Sequence, residues 1–185
     1  MLQRRVPLGM VHGRFQPFHA GHLEYLVAAA ARCRRLAVGI TNPDDFPTRP
    51  EPDDPERHLP AANPFTYAER RRMVEAAARE AGVGPVDAFP FPITEPELWD
   101  DHVPAGAVQY VRVLSGWGAS KRARFERRGY AVVVLDAPGG KRVSGAQVRA
   151  AMRAGGDWRS LVPAAVAAVI DSLPPDRALD RRPAA

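Results

Sequence analysis

The stretch that most constrains the fold is Gly13-Arg14-Phe15-Gln16-Pro17-Phe18-His19-Ala20-Gly21-His22. There an apolar run, Pro7 to Val11, gives way to an alanine-rich amphipathic run, Leu23 to Cys33. The change of periodicity across glycines predicts a strand, a tight loop and a helix start. A first helical turn leaves backbone N–H groups unpaired and carries a positive partial charge, so it attracts anions. His19 and His22 add imidazole donors, Arg14 adds a guanidinium fork, and Gly13 and Gly21 let a ligand approach the backbone. The stretch reads as a phosphate site. A metal site would want a Cys, Glu or third His at ligand spacing, and none is near. Ordinary capping or surface histidines are the other reading, and the company of Arg14 and the glycines weighs against it.

The same alternation continues. Val6 to Val11, Leu36 to Ile40, Val86 to Phe91, Val108 to Leu114 and Ala131 to Leu135 predict strands. Leu23 to Arg34, Tyr67 to Ala81, Glu95 to His102 and Ala119 to Arg128 predict helices, the second opened by a Thr66/Glu69 capping box. Strands alternating with helices predict an α/β fold, a Rossmann-like doubly wound parallel sheet, with ligands at its carboxyl edge. Ser144 is a good N-cap for a further helix that places Gly145 in its first turn and Arg149 about a turn and a half in.

At 185 residues, 45% hydrophobic and 25% charged, the chain suits one domain, set here at residues 1–173, with a flexible tail over 174–185. The proline-rich, acidic segment Thr41 to Asn63 shows no periodicity and is expected to be an insertion, a mobile lid or spacer outside the core. Met1 to Arg5 is too short and polar for a leader peptide, and no apolar run approaches the ~20 residues of a membrane span, so a cytoplasmic protein is expected. The single cysteine, Cys33, is expected to be a packed thiol among helical alanines. A net charge of +5 fits nucleic acid or small polyanions. The basic cluster from Lys121 to Arg128 is expected to be a solvated helix face, part of which could line a polyphosphate pocket.

The decapeptide resembles the His-x-Gly-His signature of the nucleotidyltransferase superfamily. Its Gly-Arg-Phe-Gln-Pro-x-His form is similar to the archaeal-type nicotinamide mononucleotide (NMN) adenylyltransferases. Pro64-Phe65-Thr66 with Glu69-Arg70, the Ser144-Gly145-Ala146-Gln147-Val148-Arg149 string and the closing segment Gly156 to Pro163 extend the resemblance over residues 6 to 173. Ala146 stands where the family usually has threonine.

The resemblance implies the HUP-type nucleotidyltransferase fold and transfer of a nucleoside monophosphate from an NTP to a small phosphorylated acceptor, releasing pyrophosphate. It implies Gly13, Arg14, Phe15, His19, Gly21, His22, Ser144, Gly145 and Arg149 as nucleotide-binding. His19, His22, Arg14 and Arg149 are the catalytic set, and Mg²⁺ is carried by substrate phosphates rather than by protein ligands. Ile93 and Trp99 resemble pyridine-packing acceptor residues, although Trp99 could equally anchor its short helix. Pro96 and Trp117 replace asparagines of the family, and Ala62 stands where a basic residue is usual, with Arg49, Arg57 or His58 as substitutes. The main expectation is ATP and NMN as substrates, giving NAD. The alternative is a cytidylyltransferase or adenylyltransferase for another small phosphate or phosphonate, with CTP as a possible donor. A homo-oligomer is compatible with the family, neither membrane nor nucleic-acid partners are expected, and a non-catalytic nucleic-acid-binding or regulatory module is the remote alternative.

Overall fold

A computed structural model describes residues 5–44, 49–140 and 142–174. Residues 1–4 of the amino-terminal segment, Asp45 of the acidic loop and the tail from 175 lie outside the described residues. Five strands form one parallel sheet: β1 (Val6–Gly13), β2 (Cys33–Thr41), β3 (Asp87–Phe91), β4 (Val108–Val111) and β5 (Val132–Val134), in the order β3-β2-β1-β4-β5. The order reverses between β1 and β4, which opens a crevice at their carboxyl ends. Among the described residues six α-helices connect and flank the strands: α1 (Ala20–Ala30), α2 (Tyr67–Glu80), α3 (Trp99–His102), α4 (Gly116–Arg127), α5 (Gly145–Arg153) and α6 (Ala164–Asp171). The predicted doubly wound sheet is observed. Among the described residues no helix is long and apolar enough to cross a membrane.

Apolar residues divide between two clusters. Val11, Leu26, Ala29, Val38, Ile40, Met73, Val74 and Val148 belong to the larger cluster. The smaller holds Met10, Ala37, Phe91, Ile93, Trp99 and Phe125. Burial of each large apolar side chain contributes about 1.5–3 kcal/mol, which fixes the helices before any polar contact is counted. Cys33 is buried as expected, but as the first residue of β2 rather than within a helix. Its helix ends at Ala30, and Cys33 pairs with Val6 in the sheet.

The expectation for the segment from Thr41 to Asn63 needs correction. Thr41 ends β2, and Glu51, Arg57 and Ala62 are buried. The segment packs through polar contacts instead of an apolar face, which is why hydrophobic periodicity missed it. Glu51 takes both guanidinium nitrogens of Arg124 on α4, at 2.8 and 2.6 Å. Asp53 accepts from Ser120, and the Arg57 carbonyl receives Asn42 and Asn63 at 3.1 and 2.8 Å.

One buried cation ties the crevice together. Arg70 is wholly enclosed and donates to the carbonyls of Arg14 at 2.9 Å, Thr41 at 2.5 Å, Asn42 at 2.7 Å and Thr66 at 3.2 Å. Replacing it by methionine strands several buried carbonyls, each costing about 1–3 kcal/mol when unpaired. Arg70→Met should therefore lose about 3 kcal/mol or more in urea denaturation. Arg70→Lys, with a point charge in place of a planar fork, should fall between the two.

Candidate active site

The crevice is a cavity of about 460 Å³. Gly13, Arg14, Phe15, His19, Gly21 and His22 line it from the first loop, and Ser144, Gly145 and Arg149 line it from the second. Both predicted phosphate elements thus face one space, although about 130 residues of chain separate them.

Local sequence shapes each element. His19 is the extended N-cap of α1, with φ −130° and ψ 173°, and its N–H donates to His22 Nδ1 at 3.3 Å. A nitrogen that accepts carries no proton, so in the neutral ring the hydrogen of His22 sits on Nε2. The two imidazoles stack with centroids 3.6 Å apart. A Cβ at Gly21 would stand 3.2 Å from the His19 ring, a tight approach that the stacked imidazole would have to yield to. Gln16 anchors the loop through Phe65, donating to its carbonyl at 2.8 Å and accepting from its N–H at 2.9 Å. Ser144 and Gln147 form a full capping box on α5. Arg149 is buried and donates to the Gln16 carbonyl at 2.6 Å, which links the second element to the first. Arg14 pairs with Asp54 at 3.3 Å. Burial pulls both guanidinium groups below the usual arginine range, the carboxylates of Asp54 and Glu56 opposing it for each.

The other end of the cavity holds residues that the sequence did not single out as a group. His12 at the end of β1, Arg57 from the insertion, and Trp117 and Lys121 from α4 all line it, as does Arg112 beyond β4. Arg57 lies over the Trp117 ring at 4.6 Å and Arg124 lies over the same ring at 5.2 Å. Arg57 stands among the substitutes expected for the missing basic residue before Pro64. Burial, reinforced by Arg57, pushes the Lys121 ammonium down to about 7. The expectation of a solvated face for the basic cluster holds for Arg122, Arg127 and Arg128, which are exposed or pair at the surface, but not for Lys121.

Ile93 reaches the cavity and Trp99 does not. The Trp99 ring is fully buried, stacked on Phe125 at 4.2 Å, and its indole N–H donates to the Pro92 carbonyl at 3.0 Å. Both faces and the polar edge are engaged in packing, so the ring anchors the short helix and has no open face for a planar acceptor.

Comparison with known proteins agrees with this geometry. A family model described as cytidylyltransferase-like matches residues 10–91, the span from β1 through β3. Phosphonoformate cytidylyltransferase of Streptomyces viridochromogenes is 49% identical over 164 residues, covering 88% of this chain and 89% of its own. Nicotinamide-nucleotide adenylyltransferase of Picrophilus torridus is 33% identical over 162 residues, 87% of this chain and 88% of its own. The bifunctional NMN adenylyltransferase/ADP ribose pyrophosphatase of Francisella tularensis, solved with AMP and a manganese ion, shares the fold. Its TM-score is 0.62 at 18% identity over 85% of this chain, which spans only 44% of that longer protein. The chain belongs to the cytidylyltransferase-like nucleotidyltransferases. It is a nucleotidyltransferase of the HUP-type fold.

Two outcomes follow from the geometry. A Cβ at Gly145 would stand 2.7 Å from the Gln16 carbonyl oxygen and 3.1 Å from Arg149. Gly145→Ala should push α5 and Arg149 off the phosphate end and weaken NTP binding about tenfold, measured by calorimetry, since overpacking costs about 1–3 kcal/mol. Lys121, released of its proton near pH 7 in the folded protein but not until its ordinary 10.5 when unfolded, binds fewer protons folded than unfolded across that window. Stability of the unliganded protein relative to Lys121→Met should therefore rise with pH from about 7 to 10, and thermal melts of the pair across that range measure it.

Proposed function

We propose that the chain is a cytidylyltransferase that transfers CMP from CTP to a small phosphonate or phosphate acceptor. The observation that carries this reading is the 49% identity to phosphonoformate cytidylyltransferase over 88% of the chain, against 33% to the NMN adenylyltransferase. The acceptor end of the cavity supports it. Trp99 is closed by Phe125, and the walls carry Arg57, Lys121 and Arg112. A positively charged pyridinium carboxamide is repelled by such a basic wall, whereas a compact anion is attracted to it. The sequence motifs shared with the archaeal enzymes keep ATP and NMN as the second reading.

An acceptor oxygen, already ionised at neutral pH, attacks the α-phosphorus of the triphosphate. The new P–O bond forms as the bond to the β-phosphate oxygen breaks, and pyrophosphate carries away the electron pair. No general base is required, so the residues contribute position and charge neutralisation. His22 Nε2–H donates to an α-phosphate oxygen as charge develops, with His19 beside it. Arg14 and Arg149 hold the β- and γ-phosphates, and the N-termini of α1 and α5, the latter with Ser144, face the leaving pyrophosphate. Mg²⁺ enters with the triphosphate as part of the substrate. Among the described residues no cluster of three or more His, Cys, Asp or Glu is placed to hold it, and Asp54 is engaged by Arg14 and Arg57.

Pyrophosphate release, scored for CTP, ATP, GTP and UTP against phosphonoformate and NMN, tests the reading. CTP with the phosphonate should be fastest, and faster turnover of NMN with ATP would replace this reading by the second. His22→Ala should lower kcat on the order of 10²-fold or more with a small change in KM for CTP, because its donor acts mainly in the transition state.

A further inference from the structure

Lys121 lies a turn and a half into α4, one turn beyond Trp117, and lines the cavity. Asp53, Asp54 and Glu56 of the insertion also line the cavity, but among the described residues no carboxylate forms an ion pair with Lys121. Glu51 takes Arg124, Asp54 is shared between Arg14 at 3.3 Å and Arg57 at 3.7 Å, and Asp53 meets Ser120. The charge that Lys121 feels most is the positive one of Arg57. Arg57 itself is only 2% exposed, with Nε unpaired and its other end held by Thr41 Oγ1 at 2.8 Å.

His12 completes the group. It is 2% exposed, stacked on Phe125 at 4.9 Å, and neither ring nitrogen finds a hydrogen-bond partner outside its own backbone. Burial, Lys121 and Arg57 together hold the ring well below the ordinary histidine range, so at neutral pH it is uncharged and has one N–H to give. A buried imidazole without partners is costly, and so are two neighbouring cations sharing part of one carboxylate. All three residues line the cavity, where Arg57 Nε and both ring nitrogens of His12 find no side-chain acceptor or donor and Arg57 holds only a share of Asp54.

We propose that Lys121, Arg57 and His12 form a subsite for a second anionic group on the acceptor, a carboxylate attached close to its phosphonate or phosphate. This rests on the reading of the cavity as a site for a small charged acceptor. Arg57 and Lys121 neutralise the carboxylate, and His12 donates its N–H to it. With the reacting oxygen held at the His22 and Arg14 end, the carboxylate fixes which oxygen faces the α-phosphorus. Trp117, held between Arg57 and Arg124, excludes water from the pair. Lys121 retains its proton when the anion arrives, since an adjacent negative charge favours the ammonium.

The test is a calorimetric comparison of phosphonoformate with methylphosphonate, which lacks the carboxylate. Each is titrated into protein saturated with Mg²⁺ and α,β-methylene-CTP, so that the triphosphate site is filled and turnover is blocked. The wild type should bind phosphonoformate on the order of 10- to 100-fold more tightly than methylphosphonate, the range of a charge-assisted contact. Lys121→Met should reduce that ratio to within about threefold, and Lys121→Gln, which keeps one N–H donor, should give an intermediate ratio. Thermal melts establish that both variants are folded. A wild-type ratio near one, or a ratio unchanged in both variants, overturns the subsite. If NMN with ATP is the faster reaction in the turnover screen, the cytidylyltransferase reading falls while the calorimetric ratio still decides the subsite.

Discussion

The guanidinium of Arg70 is the contact on which the rest of the crevice depends. A parallel sheet ends in carbonyls that no neighbouring strand satisfies, and here those ends also form the ligand site. Arg70 reaches the carbonyls of Thr41 and Asn42 at the end of β2, of Arg14 just past β1, and of Thr66 at the cap of its own helix. A planar cation with five donors can serve several carbonyls at once, which a lysine cannot. Burial lowers its guanidinium to about 10, and Asp44 opposes this from 3.8 Å. The Gln16–Phe65 pair then sets the loop laterally, and Arg149 crosses from α5 to the Gln16 carbonyl. Each phosphate-end residue is thereby held through backbone that Arg70 organises.

The cavity also solves an electrostatic problem. Arg14, Arg57, Arg112, Lys121, Arg142 and Arg149 line one small space, and uncompensated they would repel one another. The insertion brings the compensating carboxylates, with Asp54 between two arginines and Glu51 on Arg124. On the proposed reading an arriving triphosphate competes with Asp54 for Arg14, which couples the segment's hold on the cavity to ligand charge. The same acids that look repulsive in the sequence are what let the empty cavity exist.

Much of this was legible before any coordinates. The strand, loop and helix around His19 and His22, the Thr66/Glu69 box and the Ser144 cap depend on residues a few positions apart, and local rules reach that far. The boundaries that moved did so for tertiary reasons. Cys33 belongs to β2 because Val6 pairs with it, and sequence periodicity carries no record of a strand partner. The polar packing of Glu51 is invisible for the same reason, since its partner Arg124 lies on α4, 73 residues later. Lys121 was grouped with a solvated helix face, correct for its neighbours, because one residue's position on the helix decides between cavity and water. The best available signal is Trp117, an aromatic residue one helical turn before the basic run that starts at Lys121, and replacing the family's asparagine.

The acceptor end shows how one frame serves different acceptors. Trp99 keeps its place in the chain, yet Phe125 from α4 covers its face, and His12 stacks on the far side of the same phenyl ring. Filling an aromatic slot with protein removes the apolar area that would reward a planar base, worth about 0.5–1.5 kcal/mol in stacking alone. One helical turn earlier on α4, Lys121 and Trp117 line the cavity with Arg57 from the insertion, the group proposed to recognise the acceptor instead. Phosphate-handling residues need no alteration for this exchange, because they sit on β1 and α5 and are positioned by Arg70 and Gln16. On the proposed reading, selectivity for the acceptor is carried by α4 and the proline-rich segment, two elements joined by the Glu51–Arg124 pair. A change of acceptor would have to be written in both, since neither wall of that end is complete without the other.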